Sequence, residues 1–239
     1  MPDASIAMSQ GRIWFHPERV RSPGPELFEP EAWRAQAEVS PATAGRGATW
    51  FIRDGERHLV LRGYRRGGVV GRFIHDWYLY TGEARTRPAR EWRVLRYVED
   101  RGLPGPVALA ARYVREGPVY RADILTRRLP DTTPLSEALA ADALPRDRWE
   151  DIGRCIRRFH DAGVWHADLN AHNILLGEEG GVYLIDFDRA TLRGPGAWTR
   201  GNLSRLERSL EKLRGLGGGL HLEPGDWRAL TRAYSSDGA

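Results

Sequence analysis

One cysteine, Cys155, stands in 239 residues, and a single thiol excludes both an intrachain disulfide and a multi-cysteine zinc site. Lysine is equally scarce. Lys212 is the only one, so all but one of the 36 Lys and Arg side chains are arginine. Any chemistry that ordinarily uses a lysine has to be done here by another group. No apolar run approaches the length that spans a bilayer. Met1 to Gln10 have neither the basic start nor the apolar stretch of a signal peptide. A cytosolic protein is expected, one able to touch a membrane from inside. Zinc spacings, aromatic RNA-binding motifs and a helix-turn-helix pattern are also missing, which argues against a nucleic-acid partner.

What is present describes a folded chain. Hydrophobic residues make up 41% and charged residues 28%, the balance of a globular protein, and the length suits one large domain or two lobes. The net charge of +4 favours acidic partners, a nucleotide or an anionic lipid surface among them.

Residues 1–42 are rich in proline and acidic side chains and read as an irregular N-terminal extension, with one short helix around Pro30 to Ala37. From residue 43 the pattern changes. Gly45-Arg46-Gly47 opens into an apolar strand to Ile52, Asp54-Gly55 signals a hairpin, and His58 to Arg62 is the returning strand. Ala84 to Asp100 places Trp92, Leu95 and Val98 on one helical face, and Tyr113-Val114 and Val119 to Leu125 are two more strands. Residues 43–126 are thus expected as an antiparallel sheet with one main helix.

Residues 127–239 are mainly helical. Thr133-Pro134 is an N-cap with proline at the first helical position. Arg148 to Asp161 aligns Ile152, Ile156 and Phe159 and stops at Gly163. Two short strands, Asn173 to Leu176 and Val182 to Ile185, precede a charged helix with a stripe of Leu203, Leu206, Leu210 and Leu213. The fold class is α+β and two-lobed.

The densest chemistry lies in His166-x-Asp168-x-x-x-x-Asn173, an apolar hairpin, and then Asp186-Phe187-Asp188. Phosphoryl transfer asks little covalent work of a protein. It needs a base beside the attacking hydroxyl and oxygens that hold Mg²⁺ on the phosphates. Asp168 suits the first role and Asn173 and Asp186 the second, since Mg²⁺ takes hard oxygen ligands and leaves positions for phosphate and water. A hairpin brings such residues to one edge because its two ends lie side by side. His166 reads as a structural histidine that orients the loop.

These segments resemble the catalytic loop and metal-binding segment of the protein-kinase superfamily. The run Val164 to Leu176, with Tyr183 to Arg189, is more similar still to the bacterial lipopolysaccharide-core kinases, and among them to the kinases of 3-deoxy-D-manno-octulosonic acid (Kdo). Leu61 to Gly68, Asp123 to Thr126 and Asn202 to Leu206 agree, so the resemblance runs from about residue 40 onward. It implies a two-lobed, protein-kinase-like fold and ATP with Mg²⁺. The implied acceptor is Kdo on a lipid A precursor, through its 4-hydroxyl, at the inner-membrane surface. A heptose or antibiotic-type kinase of the same fold, and a binding-only pseudokinase, remain as alternatives.

Departures from the superfamily pattern narrow the reading. The strand that should end in a phosphate-gripping lysine ends in Arg62, whose implied partner is Glu91 on the first helix; a surface Glu is the alternative for Glu91. Gly45 and Gly47 form a thin glycine loop that is either a phosphate cover or a plain turn. Asn170 occupies the position where protein kinases acting on Ser/Thr commonly carry a lysine. No long activation segment follows Asp188, so a protein substrate is not expected. Arg65, Arg66 and Arg72 are either a grip for an anionic acceptor or a solvated basic turn. Arg205, Arg208, Lys212 and Arg214 flank the leucine stripe, where they can meet an anionic leaflet while the stripe packs on the lower lobe.

Overall fold

A computed structural model describes residues 4–42, 49–64, 77–215 and 219–236. Gly45, Gly47, Arg65, Arg66 and Arg72 lie outside the described residues. The chain divides into two compact units, Met1–Arg96 with Pro106–Leu129, and Tyr97–Gly105 with Pro130–Ala239.

The first unit is built on an antiparallel sheet from β1 (Ala4–Met8), β2 (Gly11–Phe15), β3 (Glu38–Pro41), β4 (Thr49–Asp54), β5 (Arg57–Gly63), β6 (Tyr78–Leu79), β7 (Ala108–Glu116) and β8 (Val119–Arg127). The spatial order is β1-β2-β7-β8-β5-β4-β3, with β6 also paired to β8. The β4–β5 hairpin closes with Asp54 opposite Arg57, and Gly55 takes φ +58° at its turn, a conformation glycine adopts without steric cost. Residues 1–42 are therefore not an irregular extension. They supply three strands of the sheet, and Val20, Phe28 and Trp33 join Ile52, Leu59, Leu61 and Leu125 in its core. The short helix expected near Pro30 is α1 (Pro30–Arg34).

Side chains alternate across a strand. Leu61 enters that core, so Arg62 emerges on the opposite face, where it meets Glu91 of α2 (Arg87–Asp100).

The second unit carries β9 (Thr132–Pro134), α3 (Leu135–Ala141), α4 (Arg146–Asp161), β10 (Val164–Trp165), β11 (Ile174–Gly177), β12 (Val182–Leu184), β13 (Thr191–Leu192), α5 (Trp198–Gly215) and α6 (Asp226–Ser236). Thr133 does not cap α3. It pairs with Leu176 in a β9–β11 ladder, and the helix begins one residue late, after Pro134. Trp149, Ile152, Ile156 and Phe159 of α4 are fully buried together with Leu206 of α5 and Leu230 of α6. Gly163 takes φ +73° just past α4. The succession of sheet first and helices second is the α+β order that the resemblance implies. No described helix is long and apolar enough to cross a membrane.

Candidate functional site

The loop from His166 to Asn173 is tied down by its own side chains and by α5. The His166 imidazole is buried, donates from Nε2 to the Ile185 carbonyl at 2.8 Å and accepts the Asp168 N–H at Nδ1 over 3.3 Å. One nitrogen donates and the other accepts, which is the neutral ring, and burial holds its pKa below the ordinary histidine value. Its chemistry is therefore orientation.

Asn170 works in the same way. Its Oδ1 accepts the N–H groups of His172 and Asn173 at 2.9 and 3.2 Å, and its Nδ2 donates to the Asp168 carbonyl at 3.1 Å. Asn173 donates from Nδ2 to that same carbonyl at 2.9 Å. The backbone of Asp168 is thus clamped from two sides, while its carboxylate stays exposed.

The hairpin supplies the second carboxylate. Ile174 pairs with Leu184, so one residue further out the Ile185 N–H reaches the Asn173 carbonyl at 3.0 Å, and Asn173 and Asp186 come to the same open end. Asp186 has φ +64°. Aspartate tolerates the left-handed region better than most residues, and such conformations concentrate at working sites. Phe187, fully buried against Phe159 and His166 at ring-centroid distances of 5.8 and 5.0 Å, anchors the turn that presents Asp186.

The donor set suits Mg²⁺. Asn173 spends its amide N–H on the loop, which leaves its Oδ1 as an oxygen ligand, and the Asp186 carboxylate is exposed. Among the described residues no group of three or more His, Cys, Asp or Glu is spaced to hold a metal. Two protein oxygens, with the rest from phosphates and water, is the way this ion is commonly held in phosphoryl-transfer sites.

In the first unit, Arg62 and Glu91 do meet. Nη2 of Arg62 lies 2.6 and 2.7 Å from the two carboxylate oxygens, and the Tyr64 hydroxyl donates to Oε2 at 2.5 Å. Glu91 is buried, whereas Arg62 keeps a quarter of its side-chain surface exposed. Arg62 is therefore held from behind, with part of its side chain exposed to solvent.

Three contacts from α5 to the loop were not anticipated from the sequence. Asn202 of α5 donates to the His166 carbonyl at 2.7 Å and is itself held through Oδ1 by His160 Nε2 at 3.0 Å. Arg205, expected to take part in a basic surface, instead places Nη1 3.3 Å from Asp168 Oδ1. Ser209 accepts the Ala171 N–H at 3.3 Å. Residues 202, 205 and 209 lie on one helical face, and that polar row beside the leucines was the available signal. A cleft of about 550 Å³ in this unit, lined by Arg157, His160, Trp198, Arg200 and Tyr234 among others, does not include Asp168, Asn173 or Asp186.

Comparison with known proteins matches residues 30–234 to the model of the lipopolysaccharide kinase (Kdo/WaaP) family. A 3-deoxy-D-manno-octulosonic acid kinase of Xanthomonas campestris pv. campestris is 46% identical over 227 residues, 94% of this chain and 89% of that one. The Vibrio parahaemolyticus protein of the same name is 38% identical over 223 residues, 93% of each chain. The Xylella fastidiosa one is 45% identical over 207 residues, 86% of this chain and 82% of that one. Among solved structures, the Cydia pomonella Granulovirus kinase PK-1 superposes with a TM-score of 0.47 at 10% identity, covering 69% of this chain and 55% of the viral one.

Proposed function

The chain belongs to the lipopolysaccharide kinase (Kdo/WaaP) family and is a phosphotransferase acting on a hydroxyl group, and from that premise we propose that it phosphorylates Kdo, at the 4-hydroxyl, on a lipid A precursor. The observation that carries the reading is the open end of the β11–β12 hairpin, where a backbone-clamped Asp168 with an exposed carboxylate stands beside Asn173 and Asp186.

Asp168 accepts the proton of the acceptor hydroxyl as that oxygen bonds to the γ-phosphorus of ATP. The bond from the γ-phosphorus to the bridging oxygen breaks, and ADP leaves with its electron pair. Asn173 Oδ1 and the Asp186 carboxylate are the oxygens that would hold Mg²⁺, which when bound neutralises charge on the phosphates. Arg62, braced by Glu91, grips phosphate oxygens in place of the lysine the chain lacks there. Exposed Arg208, Lys212 and Arg214 on α5 support a peripheral position on an anionic leaflet, each basic group adding about 1 kcal/mol near such a surface.

General-base assistance is worth about 10²–10⁴-fold. Asp168→Ala is therefore expected to stay folded and lose turnover by that factor when the purified protein is offered ATP and Kdo-lipid A. Fragmentation of the product in a mass spectrometer locates the phosphate. Consumption of ATP with heptosylated core or an aminoglycoside but not with Kdo-lipid A would reassign the acceptor. Binding of Mg-ATP with no transfer to any of the three would make the chain a pseudokinase.

A further inference from the structure

The reacting complex gathers an excess of negative charge. Two carboxylates, Asp168 and Asp186, face a triphosphate, and the transferring group spreads its charge over three oxygens. Mg²⁺ and Arg62 would answer the charge on the phosphates, but beside the base the loop itself supplies no cation. Residues 167–173 contain neither Lys nor Arg. His166 is buried and neutral, and His172 Nδ1 is engaged with the Ser136 hydroxyl at 2.7 Å. Asn170 spends both ends of its amide on the loop backbone.

The cation at Asp168 comes from α5. Arg205 Nη1 stands 3.3 Å from Asp168 Oδ1, with the side chains 48% and 57% exposed. A pair so open to water contributes little to folding, so fold stability does not account for its placement. The contact occupies one of five guanidinium N–H groups, and the others have no carboxylate partner among the described residues. On either side, Asn202 and Ser209 bond the loop through neutral contacts at His166 and Ala171. The helix backbone is thus set in register with the loop, while the guanidinium between them is free to turn.

We propose that Arg205 is a catalytic residue that binds the phosphoryl group in flight: its guanidinium, resting on Asp168 before substrates arrive, turns onto the non-bridging oxygens as the phosphoryl group moves to the acceptor. The proposal rests on Asp168 being the base. It also gives α5 a second part in the reaction, beside any contact its other basic residues make with a membrane.

The test uses the full chain with Arg205→Ala and Arg205→Lys. Loss of a donor aimed at developing charge costs about 10²–10³-fold in kcat. Arg205→Ala should show that loss with both KM values within about threefold of wild type, and Arg205→Lys should recover about tenfold of it by restoring charge without the fork. A second readout needs no turnover. Aluminium fluoride mimics the transferring group, so it should tighten Mg-ADP binding by wild type and by Asp168→Asn. For Arg205→Ala that gain should fall about 100-fold, a loss of the size expected for one such donor, while affinity for Mg-ADP alone is unchanged. Undiminished fluoride-dependent tightening, wild-type kcat, or a loss confined to the acceptor KM would each overturn the proposal. Asp168→Asn with wild-type turnover removes the base reading instead, so the two failures are told apart.

Discussion

At the scale of single residues, the Arg62–Glu91–Tyr64 cluster is unequal. The carboxylate is buried and the arginine side chain reaches solvent. Arg62→Ala removes a cationic partner from a buried carboxylate and is expected to cost about 3 kcal/mol. Glu91→Ala leaves a cation that water can reach and should cost nearer 1 kcal/mol. Urea unfolding midpoints with unchanged slopes give the comparison, and equal costs would mean Arg62 is not what stabilises the buried carboxylate. Both variants should weaken Mg-ATP binding if Arg62 grips phosphate. Cys155 makes a contrast with these working groups. Its thiol is buried, donates toward the Val182 carbonyl at 3.5 Å and has its pKa pushed up to about 12 by burial, so it is a packing residue with little nucleophilic character.

At the scale of elements, α4 and α6 approach so closely that a Cβ on Gly153 would lie 2.2 Å from the Leu230 carbonyl oxygen. Inside a solvent-facing helix, glycine to alanine gains about 1 kcal/mol. Here the sign should reverse, because forcing an atom into a filled contact costs about 1–3 kcal/mol. A lower melting temperature for Gly153→Ala is the expected result, and a higher one would show that α6 can shift away.

The same helix pair marks where the sequence was hard to read. The buried face of α6 is Ala229, Leu230 and Ala233, mostly small residues whose periodicity is weak. The edge strand β1 has exposed Ser5, Ile6 and Ala7, so no inward–outward alternation announces it. By contrast, the Asp168–Asn173 loop and the hairpin to Asp186 were legible, because their chemistry needs particular residues at particular spacings. Arg62 and Glu91 were legible only as a resemblance, since a strand and a helix 29 residues apart carry no local sign of meeting. Arg205 was legible as a charge but not as a partner of Asp168. A basic residue beside a leucine stripe reads as solvated until the loop that packs on it is known.

At the scale of the whole molecule, neither compact unit is a simple piece of sequence. Residues Tyr97–Gly105 belong with Pro130–Ala239. Within that unit the Pro104 carbonyl accepts the Leu184 N–H at 3.0 Å, the Gly102 carbonyl accepts from Arg158 at 2.8 Å, and Val98 and Leu103 are buried. A fragment of residues 130–239 lacks all of these. It is expected to show helical circular dichroism without a cooperative thermal transition. A sharp transition from that fragment would show that the missing nine residues are dispensable.

The last turn of α2, Tyr97–Asp100, belongs with the second unit. For a chain emerging from a ribosome this imposes an order of events. The end of α2 and its following turn leave the exit tunnel well before Leu184, 79 positions beyond Gly105, has been added. At translation speeds of about 5–20 residues per second, that segment waits roughly 4–16 s for its hydrogen-bond partner. Val98 and Leu103 are unprotected during that interval, which makes them natural places for a chaperone to hold the nascent chain.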